Sequence, residues 1–319
     1  MRLLIITQKV DINDDVLGFF HGWIIEFAKN CEKLTVICLQ KGEYDLPDNV
    51  NVLSLSKEGM SRPRSVGAKL KYLSNFYKYI RQERKNYDSV FVHMNQIYVI
   101  LGWLLWRVWG KKISLWYAHG QVLFSLRVAE KFADIIFTST KSGFRLKSKK
   151  IKVIGQGIDV NQLTIKNYEL QITNPEFKII TIGRISPVKN YETLIKAIGT
   201  LNKKNVEVQV DIIGKAGTSE QEQYLNNLKK IIKEKNLDSI INFQGAVPNK
   251  DIVKYLQVSD LFVSMGLTGS LDKAMLEAMS CGLPLLSCNE AMLEVLKDYK
   301  NKLMYEKKNG EQLAEKIKM

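Results

Sequence analysis

The sequence predicts an α/β protein of two Rossmann-like, doubly wound parallel-sheet domains, and three observations predict it. Short apolar runs alternate with amphipathic segments along all 319 residues. That alternation is the pattern of buried parallel strands covered by helices on both faces. It halts once, in the polar, weakly periodic stretch GIDVNQLTIKNYELQITNPEF (157–177), and then restarts. The length itself fits about two domains of roughly 150 residues. We therefore expect domains over 1–165 and 166–319, joined by a linker near 160–176. Ligands should bind at the C-terminal ends of the two sheets, in a cleft that the domains face.

In the first half the strands are predicted at 3–7, 34–39, 50–53, 89–93, 113–116, 135–139 and 151–154. Helices are predicted between them, near 15–30, 66–86, 96–109, 122–132 and 141–146. In the second half, strands are predicted at 179–182, 207–213, 241–243, 261–264 and 284–287. Helices should lie near 190–203, 219–236, 249–257, 271–281 and 289–297, with a last one in GEQLAEKIKM (310–319).

Composition bounds the function. Hydrophobic content of 45% and charged content of 25% are ordinary for a globular chain, but a formal net charge of +14 is not. It favours an anionic partner: a phosphorylated ligand, an acidic membrane surface or nucleic acid. The four cysteines, Cys31, Cys38, Cys281 and Cys288, lack close metal-ligand spacing. They read as reduced thiols in a cytoplasmic protein. The opening MRLLIITQKV reads as a buried strand rather than a signal peptide. The run IYVILGWLLWRVWG (97–110) is shorter than the ~20 residues a membrane span needs. It reads as a covering helix, the rival being an interfacial helix with Trp103, Trp106 and Trp109 at headgroup level.

Two segments carry chemistry. ITIGRISPVKNYETLIKAI (180–198) runs from a strand through a Gly-Arg turn into a helix. Such a turn aims helix amides at an anion, and Arg184 and Lys189 add two cations beside Gly183. TGSLDKAMLEAMSCGLP (268–284) holds one acid, Glu277, in a helix whose Leu271, Met275, Ala278 and Met279 fall at helical spacing. A carboxylate there can accept both hydroxyls of a ribose. It can equally pair with Lys273 four residues earlier on an exposed face.

Together the segments GRxxPxKN (183–190) and LDKAMLEAMSCGLP (271–284) resemble the nucleotide-sugar-binding half of the GT-B glycosyltransferases of the retaining, family-4 type. VDIIGKAG (210–217), INFQGAVPNKDIVKYLQVSDLFVS (241–264), ADIIFTSTKSGF (133–144) and IKVIGQGIDV (151–160) are similar to the family's other landmarks, in order. The resemblance implies GT-B architecture and transfer of a sugar from a nucleotide-diphosphate sugar to a glycan or lipid-linked acceptor. The setting it implies is cell-surface polysaccharide or glycolipid synthesis. It implies no cofactor and no metal. Arg184 and Lys189 would hold the donor diphosphate, with Gly183, Gly269, Ser270, Leu271 and Asp272 around it, and Glu277 would hold the ribose. His119, in SLWYAHGQ, takes the place of the family's cleft histidine. Gly18, in DINDDVLGFFHGW, matches its N-terminal glycine loop, and Asp15 and His21 beside it are acceptor-side candidates. Capping and stapling the following helix is their bland alternative.

The sequence departs from the family at Gly269, where a second Glu is usual, and at Ser270–Lys273, where a glycine-aromatic-glycine run is usual. Asp272 either takes over a sugar-hydroxyl contact or caps the helix. The family's crossover helix at the C-terminus has no counterpart before residue 319. Rivals within the fold are a nucleotide-sugar epimerase and a catalytically weakened sugar-nucleotide binder. The rival of another class is a nucleic-acid-binding protein, though no nucleic-acid motif is evident. The stretch 57–85 holds nine Lys/Arg against Glu58 and Glu83. It makes an anionic membrane, at the inner face of the plasma membrane, the expected surface partner.

Overall fold

The structure, a computed structural model, describes residues 1–56, 66–163 and 176–319. The expected linker therefore lies mostly, and the start of the basic stretch wholly, outside the described residues. The chain divides into two compact units, 1–155 with 248–250, and 156–247 with 251–319. The division falls ahead of residue 165 because Leu163, at the end of α5 (Val160–Leu163), is buried in the core of the second unit beside Met275 and Ala278.

The first unit holds strands β1 (Arg2–Val10), β2 (Lys33–Lys41), β3 (Val50–Ser54), β4 (Ser89–His93), β5 (Lys112–Trp116), β6 (Ile135–Thr138) and β7 (Ile151–Val153). They form one parallel sheet in the order β3-β2-β1-β4-β5-β6-β7. The order reverses between β1 and β4, the doubly wound pattern. Alternate strand residues feed two cores. Leu4, Ile6, Val90, Val92 and Leu115 pack under α2 (Val66–Gln82), α3 (Ile97–Val108) and α4 (Phe124–Phe132). Leu3, Ile5, Leu34 and Val36 pack under α1 (Phe19–Lys29) on the opposite face.

The tryptophans of α3 serve packing rather than a headgroup belt. Trp106 is fully buried and donates Nε1–H to the Tyr87 hydroxyl at 3.2 Å. Trp103 stacks on Phe132 with centroids 4.2 Å apart. Tyr72 and Phe76 of α2 likewise point into the core. Among the described residues, no helix is long and apolar enough to cross a membrane.

The predicted helix at 141–146 is absent; those residues form turns. The Gly143 amide bonds both the carbonyl and the hydroxyl of Thr140, each at 3.1 Å. Side-chain bonds of this kind compete with helix extension.

The second unit repeats the plan with strands β8 (Phe177–Ile182), β9 (Val208–Ile213), β10 (Ile241–Gly245), β11 (Leu261–Ser264) and β12 (Leu285–Ser287). Their order is β10-β9-β8-β11-β12, all parallel, reversing between β8 and β11. The helices are α6 (Tyr191–Lys203), α7 (Ser219–Glu234), α8 (Ile252–Leu256), α9 (Lys273–Ser280), α10 (Leu293–Leu296), α11 (Lys300–Leu303) and α12 (Gly310–Lys318). α12 packs on α6 within this unit, burying Leu313 and Ala314. Gly310 lies so close to Lys196 that a Cβ would meet its side chain at 2.9 Å. All four cysteines are free and buried.

Candidate functional site

The reversal between β8 and β11 separates the loops that leave their C-terminal ends, which opens a crevice in sheets of this type. Gly183 follows β8, and its carbonyl is gripped from two sides. The Tyr191 hydroxyl donates to it at 2.9 Å, and Gly214, at φ +145, approaches so closely that a Cβ would lie 2.0 Å from it. Only glycine fits at 214. Residues Pro187–Lys189 then form one 3-10 turn, closed by Asn190 in the left-handed region at φ 52. The turn is tied to its neighbours through main-chain bonds, Leu267 N–H to Val188 O at 2.9 Å and Ile185 N–H to Lys215 O at 3.1 Å.

This framework brings most of the predicted second-half residues together. The Lys189 stem lies across Gly183, where a Cβ would sit 2.8 Å from its Cε. Gly183 thus leaves room for the lysine to cross the strand end. The ammonium pairs with the Asp272 carboxylate from the loop after β11. Arg184, one residue past Gly183, is exposed. No ion pair of its guanidinium is found among the described residues.

Asp272 also caps α9, accepting the Ala274 amide at 3.4 Å. Ahead of it, Gly269 is left-handed at φ 68, which suits glycine far better than the usual Glu. The Ser270 carbonyl is held by Asn289 Nδ2 at 2.7 Å, and the Ser270 hydroxyl lies 3.0 Å from that of Thr268. Leu271 turns partly into the core.

Glu277 does pair with Lys273, but not on an exposed face: its side chain is only 8% exposed and that of Lys273 17%. Met279, by contrast, faces solvent. The buried face of the helix is set by Ala274, Met275, Glu277 and Ala278, and Met279 falls at its edge. Behind Glu277, burial and then the acid's charge push the Cys281 thiol up to about 11, which leaves it unreactive near neutral pH.

In the first unit the outcome is different. Gly18 is buried, and its amide is committed to the Asp14 carbonyl at 3.1 Å within its own turn. Asp14, not Asp15, organises that turn: its Oδ1 accepts the amides of Val16 and Leu17 at 2.9 and 2.6 Å, and its Oδ2 accepts Lys9 at 2.6 Å. Asp15 is half-buried in the same turn. His21 does not take an outward, acceptor-facing position. It is buried, its Nε2 accepts the Asp45 amide at 3.1 Å, and burial lowers its pKa. It fastens the 40s loop to α1. His119 stands half-exposed just past β5, with Nδ1 accepting the Gln121 amide at 3.1 Å. His93 is structural, buried against Phe20 and bonded to Thr7 at 3.2 Å.

Tyr191, Gly214 and Asn289 were not singled out from sequence. Only Gly214 left a signal there, as the glycine that ends the strand VDIIG. No group of three or more His, Cys, Asp or Glu suited to a metal ion occurs among the described residues. Chemically, the second unit offers a fixed lysine, a free-standing arginine and close-approach glycines at one strand end, which is a setting for a diphosphate.

Comparison with known proteins bears on the fold. The structure superposes on that of Anabaena Alr3699/HepE in complex with UDP and glucose, with a TM-score of 0.76 and 20% identity, covering 100% of this chain and 89% of that one. A Staphylococcus aureus TarM mutant, in complex with fondaparinux, α-GlcNAc-glycerol and UDP, gives a TM-score of 0.75 at 12% identity, covering 99% and 92%. These likenesses establish the GT-B fold. In sequence, an uncharacterized glycosyltransferase of Methanocaldococcus jannaschii is 26% identical over 190 residues, 55% of this chain and 45% of that protein. A D-inositol 3-phosphate glycosyltransferase of Paenarthrobacter aurescens is 24% identical over 145 residues, 44% and 35%. The chain thus spans about half or less of the length of these relatives. The family description Glycosyl transferases group 1 fits residues 165–319. The matched half is the one that holds the Gly183–Asn190 turn and the Gly269–Glu277 segment, so it is this second half of the chain that is similar to the glycosyl transferases group 1.

Proposed function

We propose that the protein transfers a sugar, with retention of configuration, from a nucleotide-diphosphate sugar to a glycan or lipid-linked acceptor in cell-surface polysaccharide or glycolipid synthesis. The observation that carries this is Lys189 fixed across Gly183 at the strand-order reversal, with Arg184 beside it. Breaking the sugar–phosphate bond leaves negative charge on the departing diphosphate. Cations fixed at that spot stabilise it more in the transition state than in the ground state. Lys189 and Arg184 take that role in this reading. Glu277 accepts the ribose hydroxyls after parting from Lys273, and His119 contributes from the first unit toward the transferred sugar. The UDP in the HepE and TarM complexes makes uracil the first base to try.

The test is calorimetry of nucleoside diphosphates and their sugars against wild type, Lys189→Ala and Glu277→Ala. One diphosphate should bind, with a loss of roughly 10–100-fold in each variant, the scale of a hydrogen bond to a charged group. A wild type that binds no nucleotide sinks the reading. Release of free sugar epimer without acceptor would move it to the epimerase. Binding without any turnover would move it to the weakened binder that Gly269 brings to mind.

An anionic membrane is the proposed surface partner. α2, α3 and α4 cover one face of the first sheet and point Lys69, Lys71, Lys78, Arg81, Arg107, Arg127 and Lys131 outward. The single acid in these helices, Glu130, is half-buried and accepts the Ser148 hydroxyl. Exposed Leu104, Val108 and Phe124 lie among the cations. Sedimentation with phosphatidylglycerol vesicles, but not with phosphatidylcholine vesicles, is the expected result. Equal binding to DNA of matched charge would favour the nucleic-acid reading instead.

A further inference from the structure

The ion pair between Lys189 and Asp272 bridges the two loops of the donor crevice, across 83 residues of sequence. Both side chains are 23% exposed, so solvent screens the pair only in part. The resemblance implies a glycine-aromatic-glycine run where this chain has Ser270–Lys273, so a carboxylate at Asp272 departs from that pattern. It is also firmly placed. One oxygen accepts the Ala274 amide, the Asp272 carbonyl accepts the Met275 amide at 3.2 Å, and the preceding Ser270 carbonyl is anchored to Asn289 at 2.7 Å. Asp272 therefore cannot swing far from the lysine that the proposed function gives to the donor diphosphate.

We propose that Asp272 is an affinity-setting counter-ion: a built-in competitor for Lys189 that lowers the affinity of the crevice for diphosphates. The inference rests on the reading of Lys189 as the diphosphate ligand. A phosphate oxygen that engages Lys189 must displace or share the carboxylate, and a carboxylate that stays nearby repels the incoming charge. Both effects weaken binding of the donor and of the nucleoside diphosphate left after transfer. The weaker hold on that product speeds its release. The same carboxylate also keeps the flexible ammonium over Gly183, so its role is positioning as well as competition.

Asp272→Asn separates charge from structure. Asparagine caps a helix about as well as aspartate, so the fold and α9 should keep their melting temperature. Calorimetry with UDP, ADP, GDP and inorganic pyrophosphate should show about tenfold tighter binding than wild type, the size of one partly screened charge–charge interaction. The gain should shrink in a Lys189→Ala background, where no ammonium is left to release. A variant that binds the same diphosphate equally or more weakly than wild type, at an unchanged melting temperature, overturns the competitor role. It leaves the donor-site reading standing, because wild type still binds. If neither protein binds any nucleotide or pyrophosphate, both fall together.

Discussion

The two sheets share one topology and treat their reversal points in opposite ways. In the first unit the reversal between β1 and β4 is closed by rings. Phe20 stacks on His93 at 4.0 Å and 16°, and Trp23 meets Trp116 edge-on at 5.0 Å. In the second unit the reversal between β8 and β11 is left to Gly183, Lys189 and Asp272. Winding thus supplies a place for a ligand, while the first few residues after each strand decide whether that place is plugged or charged. At this end of the first sheet, the groups left for a ligand lie beside the plug, such as the half-exposed His119.

Three experiments would break or sharpen this contrast. The largest effect is expected from Phe20→Ala, which removes a fully buried ring from the plug. It should cost about 3–5 kcal/mol of stability, read as a lower denaturant midpoint, while the folded variant keeps its affinity for a nucleoside diphosphate. An equal fall in affinity would mean that the two reversal points are not separate in function.

The second experiment is acid titration of stability. Burial holds His93 neutral, its pKa lowered to about 3 from an ordinary 6.5. Below pH 6.5 the unfolded chain gains a proton that the folded chain refuses. Stability from this residue is therefore present above pH 6.5 and lost as pH falls toward 3, at up to about 1.4 kcal/mol per pH unit. His93→Gln should flatten that slope, because Gln keeps a polar atom for Thr7 and does not titrate. A slope unchanged in the variant would move the effect elsewhere.

The smallest effect is expected at Asn289, which sits on the polar side of the comparison. Asn289→Asp keeps an acceptor for the Ala291 amide, bonded at 3.0 Å, but loses the donor that holds the Ser270 carbonyl. The expected cost is about 1–2 kcal/mol. It should show as faster amide exchange over 267–272 and weaker diphosphate binding. Protection over 267–272 equal to wild type would show that the loop holds itself.

The strands were legible in the sequence to within two or three residues at either end, because buried parallel strands are continuous apolar runs bounded by turn residues. Gly183, Lys189, Gly269 and Asp272 were legible as a neighbourhood, since each lies just past a strand. Their pairing was not. Local pattern carries no information on which loop meets which, so the bond from Lys189 to Asp272 and the grip of Tyr191 and Gly214 on Gly183 emerge only with the sheet order. His21 misled for a related reason. It lies in the predicted helix 15–30, where local pattern does not say whether it faces out, and its burial is decided by the distant 40s loop, whose Asp45 amide bonds its Nε2.

The anchoring of Ser270 has a consequence for the timing of folding. Asn289 follows β12, an edge strand of three residues held by the segment after α11. Tyr305 N–H bonds the Ser287 carbonyl at 3.1 Å, and its hydroxyl reaches the Ser264 carbonyl at 2.9 Å. On the ribosome, therefore, the ligand loop emerges well before the residues that fix its shape. The proposed donor loop takes its anchored shape only after Asn289, and the edge strand that Tyr305 secures, have joined the sheet.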